Sequence, residues 1–310
     1  MSTLKPFTSL YDEVILPALT PLEEERKQIV KQLQLYGLIL IPVSALFFYF
    51  NAGLFPLIAG GVGLFFYYRH HAGLIKGKYK EYAIKTLVNG LDPNLAYHPT
   101  SRIERGDYDK SKLFIKSINR YYGDDLVSGV IGKTAIRFSE VFTQLERNND
   151  EKQLDTIFRG IFFIADFNKR FIGETFVLPD VAQNIFGELG SFIQKLNLVR
   201  PQLVKLEDPE FEKAFVIYGT DQVEARYILS ISLMQRILDF KKKTNLRLSL
   251  SFIDSQVFIA LPINKNLFEA PSLFESVIKY QPLSEYYGYL SMCIEIVDTL
   301  DLNTRIWTKE

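Results

Sequence analysis

The sequence predicts an α+β protein in which a two-helix transmembrane hairpin precedes a largely antiparallel sheet domain with packed helices. Two observations lead to this prediction. The 37 residues from position 32 to position 68 carry no charge, whereas one helical span needs only about 20 apolar residues. Beyond Pro93 the spacing of apolar residues changes from three or four to two, which is typical of strands.

The uncharged stretch divides naturally into two spans at Asn51-Ala52-Gly53. Asn and Gly favour tight turns, and Pro56 falls in the first turn of the second helix, where its missing amide hydrogen costs little. Basic residues flank both ends of the stretch but are absent from the turn, which predicts that both termini lie in the cytoplasm. The pair His70-His71 is then expected in the headgroup layer. A buried helix pair in a soluble protein is the alternative, and the missing polar face argues against it.

Four segments follow from these signals: an N-terminal cytoplasmic helix over 1–33, the transmembrane hairpin over 34–68, a juxtamembrane helix over 69–92 and a cytoplasmic α+β domain over 93–310. Thr20 and Glu23 have the spacing of a capping box, which predicts that the first helix begins near Pro21. Asp92-Pro93 is a natural stop for the juxtamembrane helix. Whether that helix completes the core of the following domain is left open by the sequence.

Alternating apolar residues predict the strands of the C-terminal domain. The predicted strands are 132–142, a pair at 156–167 and 174–179, and a hairpin of 246–254 with 257–261 that has one solvated face. A helix is predicted from Asp221, with Glu224 three residues later, through Leu238. Another is predicted near the C-terminus, along Tyr287 and Leu300.

Composition excludes several classes of function. Lys plus Arg and Asp plus Glu are 36 each, so the overall charge gives no reason to expect nucleic acid as a partner. The single cysteine, Cys293, excludes an internal disulfide framework and a multi-cysteine metal site, which suits a reducing compartment. Cys293 falls on the apolar side of its predicted helix, where a free cysteine behaves as a small hydrophobe.

Several stretches around the predicted hairpin occur in a familiar order. They are FTSLYDEVILPALTPLEEERK, YYGDDLVSGVIGKTAIRFSE, GETFVLP, FEKAFVIYGTDQVEARYILS, SFIDSQVFIAL and NLFE. Together they resemble the bacterial family catalogued as domain of unknown function 3137. The resemblance implies a membrane-tethered cytoplasmic domain and supplies no catalytic residues.

The segment Gly132-Lys133-Thr134 matches the end of a phosphate-binding loop. A Walker A loop also needs a glycine five residues before Gly132, yet that position is Val127. The loop should in addition lead into a helix, whereas the following residues have strand character. We therefore predict a turn followed by a strand at this point and no nucleotide site.

Two acidic clusters are candidates for a site. Asp124 and Asp125 can bind a divalent cation if other oxygens converge on them, although adjacent acids in a Gly-containing turn are usually solvated. Asp221, Glu224 and Arg226 form the second cluster, but a helix N-terminus favours acids for capping and for its dipole. No metal-binding or catalytic residue is assigned from the sequence, and no cofactor is predicted.

The leading hypothesis is a non-enzymatic protein of the inner membrane that tethers a cytoplasmic domain for protein interaction or regulation. Its predicted partners are the lipid bilayer and a protein, with no nucleic acid. The alternative is a membrane-bound metal-dependent enzyme that uses Asp124, Asp125 or Glu140. A pore is disfavoured because the spans contain no ionisable residue.

Overall fold

A computed structural model describes residues 5–51, 54–114, 116–147, 153–167, 169–180 and 202–303. The chain divides into two compact units. The helical unit comprises Thr3–Leu91 and Phe268–Tyr289, and the sheet unit comprises chiefly Asp92–Leu267 and Leu290–Glu310. The helical unit thus includes a segment after Leu267 that the sequence-based division assigns to the C-terminal domain.

Helix α1 covers Phe7–Tyr49, with a π-helical stretch at Tyr11–Ile15. The predicted start near Pro21 is wrong, because the helix runs through this proline without a break. The hydroxyl of Thr20 donates to the carbonyl of Leu16 at 2.7 Å instead of capping a helix. Glu23 is also not a capping residue: it is buried and paired with Arg26 at 2.7 Å.

A second helical run follows. It consists of α2 at Phe55–Tyr79, a π-helical stretch at Lys80–Ile84 and α3 at Lys85–Leu91. This confirms that the second apolar helix continues without interruption towards Asp92-Pro93.

Helices α1 and α2 pack against each other in antiparallel directions. Lys78 of α2 donates to Glu25 of α1 at 2.6 Å, and the rings of Tyr67 and Tyr36 lie 5.7 Å apart. Later residues of α1 therefore meet earlier residues of α2. The end of the second helical run contributes to an apolar core, since Ile84, Leu87 and Val88 are buried.

Helix α1 is long and apolar enough to cross a membrane. Its most apolar 18-residue window has a mean hydropathy of 1.5 and is 11% buried, and in the described part of the chain α1 is the one helix that meets these criteria. A core helix of a soluble protein would bury most of such a window. The long apolar helix is thus present as predicted, whereas the second of the two predicted spans is not shown.

The described residues of the sheet unit form one nine-stranded antiparallel sheet in the order β1-β2-β3-β4-β9-β8-β5-β7-β6. The strands are β1 Leu95–His98, β2 Arg120–Ile131, β3 Thr134–Glu146, β4 Leu154–Asp166, β5 Thr175–Pro179, β6 Gln202–Leu203, β7 Phe215–Gly219, β8 Ser249–Ile253 and β9 Gln256–Pro262. The predicted class, α+β with a large antiparallel sheet, is confirmed.

Two predictions about strand pairing need correction. Strands β4 and β5 exist but do not pair, because the hairpin of β8 and β9 lies between them. That hairpin is confirmed, with Ile253 opposite Gln256, but its predicted solvated face is wrong. Ser251 is fully buried, and its hydroxyl donates to the carbonyl of Ser111 at 2.7 Å.

The described residues after Leu91 form five helices: α4 Arg105–Lys110, α5 Pro209–Ala214, α6 Gln222–Ile228, α7 Ile231–Thr244 and α8 Tyr280–Thr299. The predicted single helix from Asp221 to Leu238 is in fact two helices. Ser230 separates them, because its side chain accepts the amide of Leu233 and starts a new helix.

Both faces of the sheet are covered. On one face Tyr108 and Leu113, which precede β2, join a core cluster with Phe162 and Phe258. Ile237 of α7 approaches the sheet together with Leu250, Ile259, Ile296 and Leu300. Because apolar side chains cover both of its faces, the described central part of the sheet is shielded from solvent on both sides.

Candidate functional site

A bulge in β2 brings three carboxylates together. Asp124 faces Glu140 of β3, but the register shifts between Asp124 and Val127, so β2 has one extra residue. Consecutive strand residues normally point to opposite faces. Asp125 has a φ of +59°, which lies in the left-handed region. This conformation and the bulge place one oxygen of each acid within 4.8 Å of the others.

Two of the three acids are buried. Asp125 is 1% exposed and Glu140 is 5% exposed, whereas Asp124 is intermediate. The hydroxyl of Tyr97 donates to Asp125, and the amide of Leu267 donates to Glu140 at 2.7 Å. The cluster is therefore built into the sheet and is not the solvated turn that the sequence predicts.

The environment of Glu140 favours its protonated form. Burial raises the pKa of Glu140 to about 7; the amide of Leu267 and the charge of Arg159 lower it, and the nearby Asp124 and Asp125 raise it. Near neutral pH this group exchanges a proton. At higher pH three carboxylates face one another, which is the ligand set that a divalent cation such as Ca²⁺ or Mg²⁺ prefers.

Neighbouring residues fix the geometry of the carboxylate cluster. A Cβ at position 123 would lie 2.3 Å from the carbonyl oxygen of Glu140, so the bulge requires Gly123. The guanidinium of Arg159 lies 5.2 Å from the ring centre of Phe142 and donates to Asn266. Sequence reasoning missed Tyr97, Arg159 and Leu267, because they come from β1, β4 and the loop after β9.

The segment Gly132-Lys133-Thr134 is a hairpin turn and the start of β3, as predicted. Ile131 pairs with Thr134, and Gly132 has φ +62°. The amide of Lys133 donates to the side chain of Asn303 at 2.8 Å. No helix begins here, so the geometry of a phosphate-binding loop is not present at this turn.

The cluster around Asp221 has a structural role. The Asp221 carboxylate caps α6 by accepting the amides of Val223 and Glu224, each at 2.9 Å. The buried Glu224 accepts the amide of Gly173 at 2.7 Å and thereby fixes the loop before β5. Arg226 lies on the exposed side of the same helix.

Cys293 and the pair His70-His71 have packing roles. Cys293 is fully buried, and this burial raises the pKa of its thiol, which makes the thiolate nucleophile inaccessible. His71 instead packs on the ring of Tyr67, with ring centres 4.2 Å apart.

Comparison with known proteins confirms the predicted family resemblance for the C-terminal part of the chain, while its bacterial and membrane aspects stay predictions. Residues 156–302 match the family described as "Protein of unknown function (DUF3137)"; the match does not include α1 and α2. No curated protein matches the chain. The crystal structure of the mycobacterial trehalose monomycolate transport factor A, TtfA, aligns with 70% of this chain and 94% of that chain, at 10% identity and a TM-score of 0.35, which supports no conclusion about fold or function.

Proposed function

We propose that this chain, whose residues 156–302 match that family of unknown function, is an integral protein of the bacterial inner membrane. In this proposal α1 and the apolar part of α2 both cross the bilayer, and both termini lie in the cytoplasm. The sheet unit then acts at the cytoplasmic surface by binding another protein.

The observation that carries the membrane assignment is a band of exposed apolar side chains on the outer surface of α1 and α2, where the two helices lie side by side. Eight large residues of this band are between 63% and 79% exposed: Leu38, Ile41, Phe48, Tyr49, Phe50, Phe55, Ile58 and Phe66. Soluble proteins rarely expose a contiguous apolar surface of this kind. Because α2 packs along α1, insertion of α1 would bring the apolar part of α2 into the same layer.

The distribution of charge supports the orientation. Between Glu25 and Glu81 the chain has no acidic residue, and its basic residues lie outside the apolar band. The linker between the helices has no basic residue, whereas Lys31 and Arg69 lie at the opposite end of the band. The positive-inside rule places this basic end in the cytoplasm.

Extraction of isolated membranes with alkaline carbonate tests the membrane assignment. We expect the full-length protein to stay in the membrane pellet and to be released only by detergent, because its apolar band is inserted. Release by carbonate alone would contradict integral insertion.

An exposed apolar patch on the sheet unit supports the role in protein binding. Val223 and Tyr227 are one helical turn apart on α6 and are 77% and 49% exposed, and Ile231 at the start of α7 is 74% exposed. The amide of Ile172, a residue that is 94% exposed, donates to Glu224 of α6. This grouping of exposed apolar residues is typical of a protein-binding surface.

Val223→Glu tests this patch, with Ser232→Glu as the matched control. Both changes place a glutamate in the first turn of an exposed helix, where its charge is tolerated. We expect Val223→Glu to lower the yield of a stoichiometric partner in affinity capture from detergent extracts by about tenfold, equivalent to roughly 1.4 kcal/mol. Equal yields from both variants would contradict binding through this patch.

A second candidate function is metal-dependent catalysis at Asp124, Asp125 and Glu140. The convergence of their oxygens within 4.8 Å favours it. In this hypothesis Glu140 must lose its proton before a cation binds, so binding strengthens as the pH rises above its pKa.

A further inference from the structure

A cleft of about 290 Å³ lies between α1 and α2. Its lining is formed by Tyr36 and Leu40 of α1 and by Gly60, Gly63, Leu64 and Tyr67 of α2. The absence of side chains at the two glycines creates the space. Leu40 occupies the space beside Gly60, where a Cβ would lie 2.2 Å from its Cδ1, whereas a Cβ on Gly63 would meet no atom within 4 Å.

The cleft is apolar towards Gly60 and has polar groups at its other end. There the hydroxyl of Tyr67 donates to the side chain of Gln32, and the ring of His71 packs on Tyr67. Seven residues separate Gly60 from Tyr67, which is about 10 Å of helix. A molecule that fits must therefore be slender and apolar along its length and polar at one end.

The polar end of the cleft lies in a region of positive charge. The contact of Tyr67 with Gln32 shows that these two residues lie at the same height along the helix pair. Lys31 is one residue from Gln32 and Arg69 is two residues from Tyr67, so both basic residues lie within about 3 Å of this height along the helix axes. Neither is in an ion pair with any described residue. No acid occurs in the chain between Glu25 and Glu81, and Glu275, which follows the Phe274 that stacks on Tyr68, is paired with Lys279. The charge that α1 and α2 contribute at this level is therefore positive and complements an anionic head group.

We propose that this cleft binds one acyl chain of an anionic phospholipid, with the phosphate at the level of Tyr67 and His71. The inference rests on the proposed insertion of α1 and α2 in the bilayer, because only then does the cleft open onto lipid. Lys31 and Arg69 supply the preference for an anionic lipid over a zwitterionic one, and the apolar end of the cleft holds the chain.

Native mass spectrometry of the full-length protein tests the proposal. The protein is purified in mild detergent containing equal amounts of phosphatidylglycerol and phosphatidylcholine, and the retained lipid is identified. We expect one phosphatidylglycerol on the wild type. Gly63→Leu fills the cleft and should lower this occupancy by about tenfold, the change produced by about 1.4 kcal/mol.

Gly61→Leu is the matched control, because it adds the same side chain to the same helix at a position that also meets no atom within 4 Å and does not line the cleft. Gly63→Ala adds a single methyl group and should give an intermediate occupancy, so a graded loss separates filling of the cleft from misfolding. Lys31→Gln combined with Arg69→Gln should abolish the preference for phosphatidylglycerol.

The outcomes separate this inference from the proposed function. If carbonate does not release the protein but Gly63→Leu and Gly61→Leu retain equal lipid, membrane insertion stands and the lipid site is overturned. The same conclusion follows if the wild type retains no phospholipid or has no preference for the anionic one. If carbonate releases the wild type, the proposed membrane function itself fails.

Discussion

Arg26→Met is expected to destabilise the helical unit by about 3 kcal/mol, the cost of leaving a buried charge without its partner. Arg26 and Glu23 are 8% and 4% exposed. The guanidinium of Arg26 also donates to the carbonyl of Leu273 at 2.9 Å, and Glu23 accepts the amide of Val277 at 3.0 Å. The ion pair thus fastens the segment Phe268–Tyr289 to α1, and its loss also leaves a backbone carbonyl without its donor.

Thermal unfolding of the full-length protein in detergent measures this effect. We expect the melting temperature of the helical unit to fall by about 10 °C. Lys27→Met is the matched control, since Lys27 forms an ion pair with Glu24 that is more than half exposed, and exposed pairs contribute little. The double variant Glu23→Gln with Arg26→Met should recover part of the loss, because no unpaired charge remains. Equal melting temperatures for Arg26→Met and Lys27→Met would contradict the structural role of the pair.

Glu140→Gln is expected to stabilise the sheet unit at pH 8 and to have a smaller effect at pH 5. The pKa of Glu140 is about 7 in the folded protein, against an ordinary value near 4.3 in an unfolded chain. Between these values the folded state binds a proton that the unfolded state has released, so stability falls as the pH rises. Above pH 7 the free energy of unfolding is lower by on the order of 2 kcal/mol, after allowance for screening by solvent.

Thermal unfolding between pH 5 and pH 8 measures the difference. Glutamine keeps an acceptor for the amide of Leu267 and carries no charge, so the variant should lack the fall in stability of the wild type. Glu104→Gln, which changes an exposed carboxylate, should retain the wild-type slope. Parallel profiles for the wild type and Glu140→Gln would contradict the raised pKa.

Thermal unfolding at pH 8 with and without Mn²⁺ decides between the structural and the metal-binding role of the cluster. If Asp124, Asp125 and Glu140 bind a divalent cation, Mn²⁺ should raise the melting temperature of the wild type at pH 8 by more than that of Glu140→Gln. An equal response to Mn²⁺ would leave the cluster as a purely structural, proton-binding feature of the sheet.

Local signals predicted much of the fold, because they depend on neighbours in the sequence. The hairpin of β8 and β9, the turn at Gly132-Lys133 and the cap at Asp221 all follow from a few adjacent residues. The order of strands in the sheet does not follow from adjacent residues. Strands β4 and β5 are close in the sequence, yet β9 and β8 lie between them. Burial of Ser251 likewise depends on Ser111, which is 140 residues away.

The candidate site was predicted only as a set of residues. Asp124 and Asp125 are visible as adjacent acids, but a regular strand would direct them to opposite faces. The bulge that unites them with Glu140 arises from the pairing of β2 with β3, which cannot be inferred from a single segment. Glu23 was assigned to a capping box for a similar reason, since its partner Val277 lies 254 residues later.

The central claim, that α1 and α2 both cross the membrane and leave the sheet unit in the cytoplasm, is tested most directly by thiol labelling in intact cells. Native Cys293 is fully buried, so a single added cysteine reports its own position. Leu54→Cys lies between the helices and is 50% exposed at that position, and Asp109→Cys lies on the exposed side of α4. We expect a membrane-impermeant maleimide to label Leu54→Cys from outside, and to label Asp109→Cys only after permeabilisation. Labelling of Asp109→Cys in intact cells would contradict the claim.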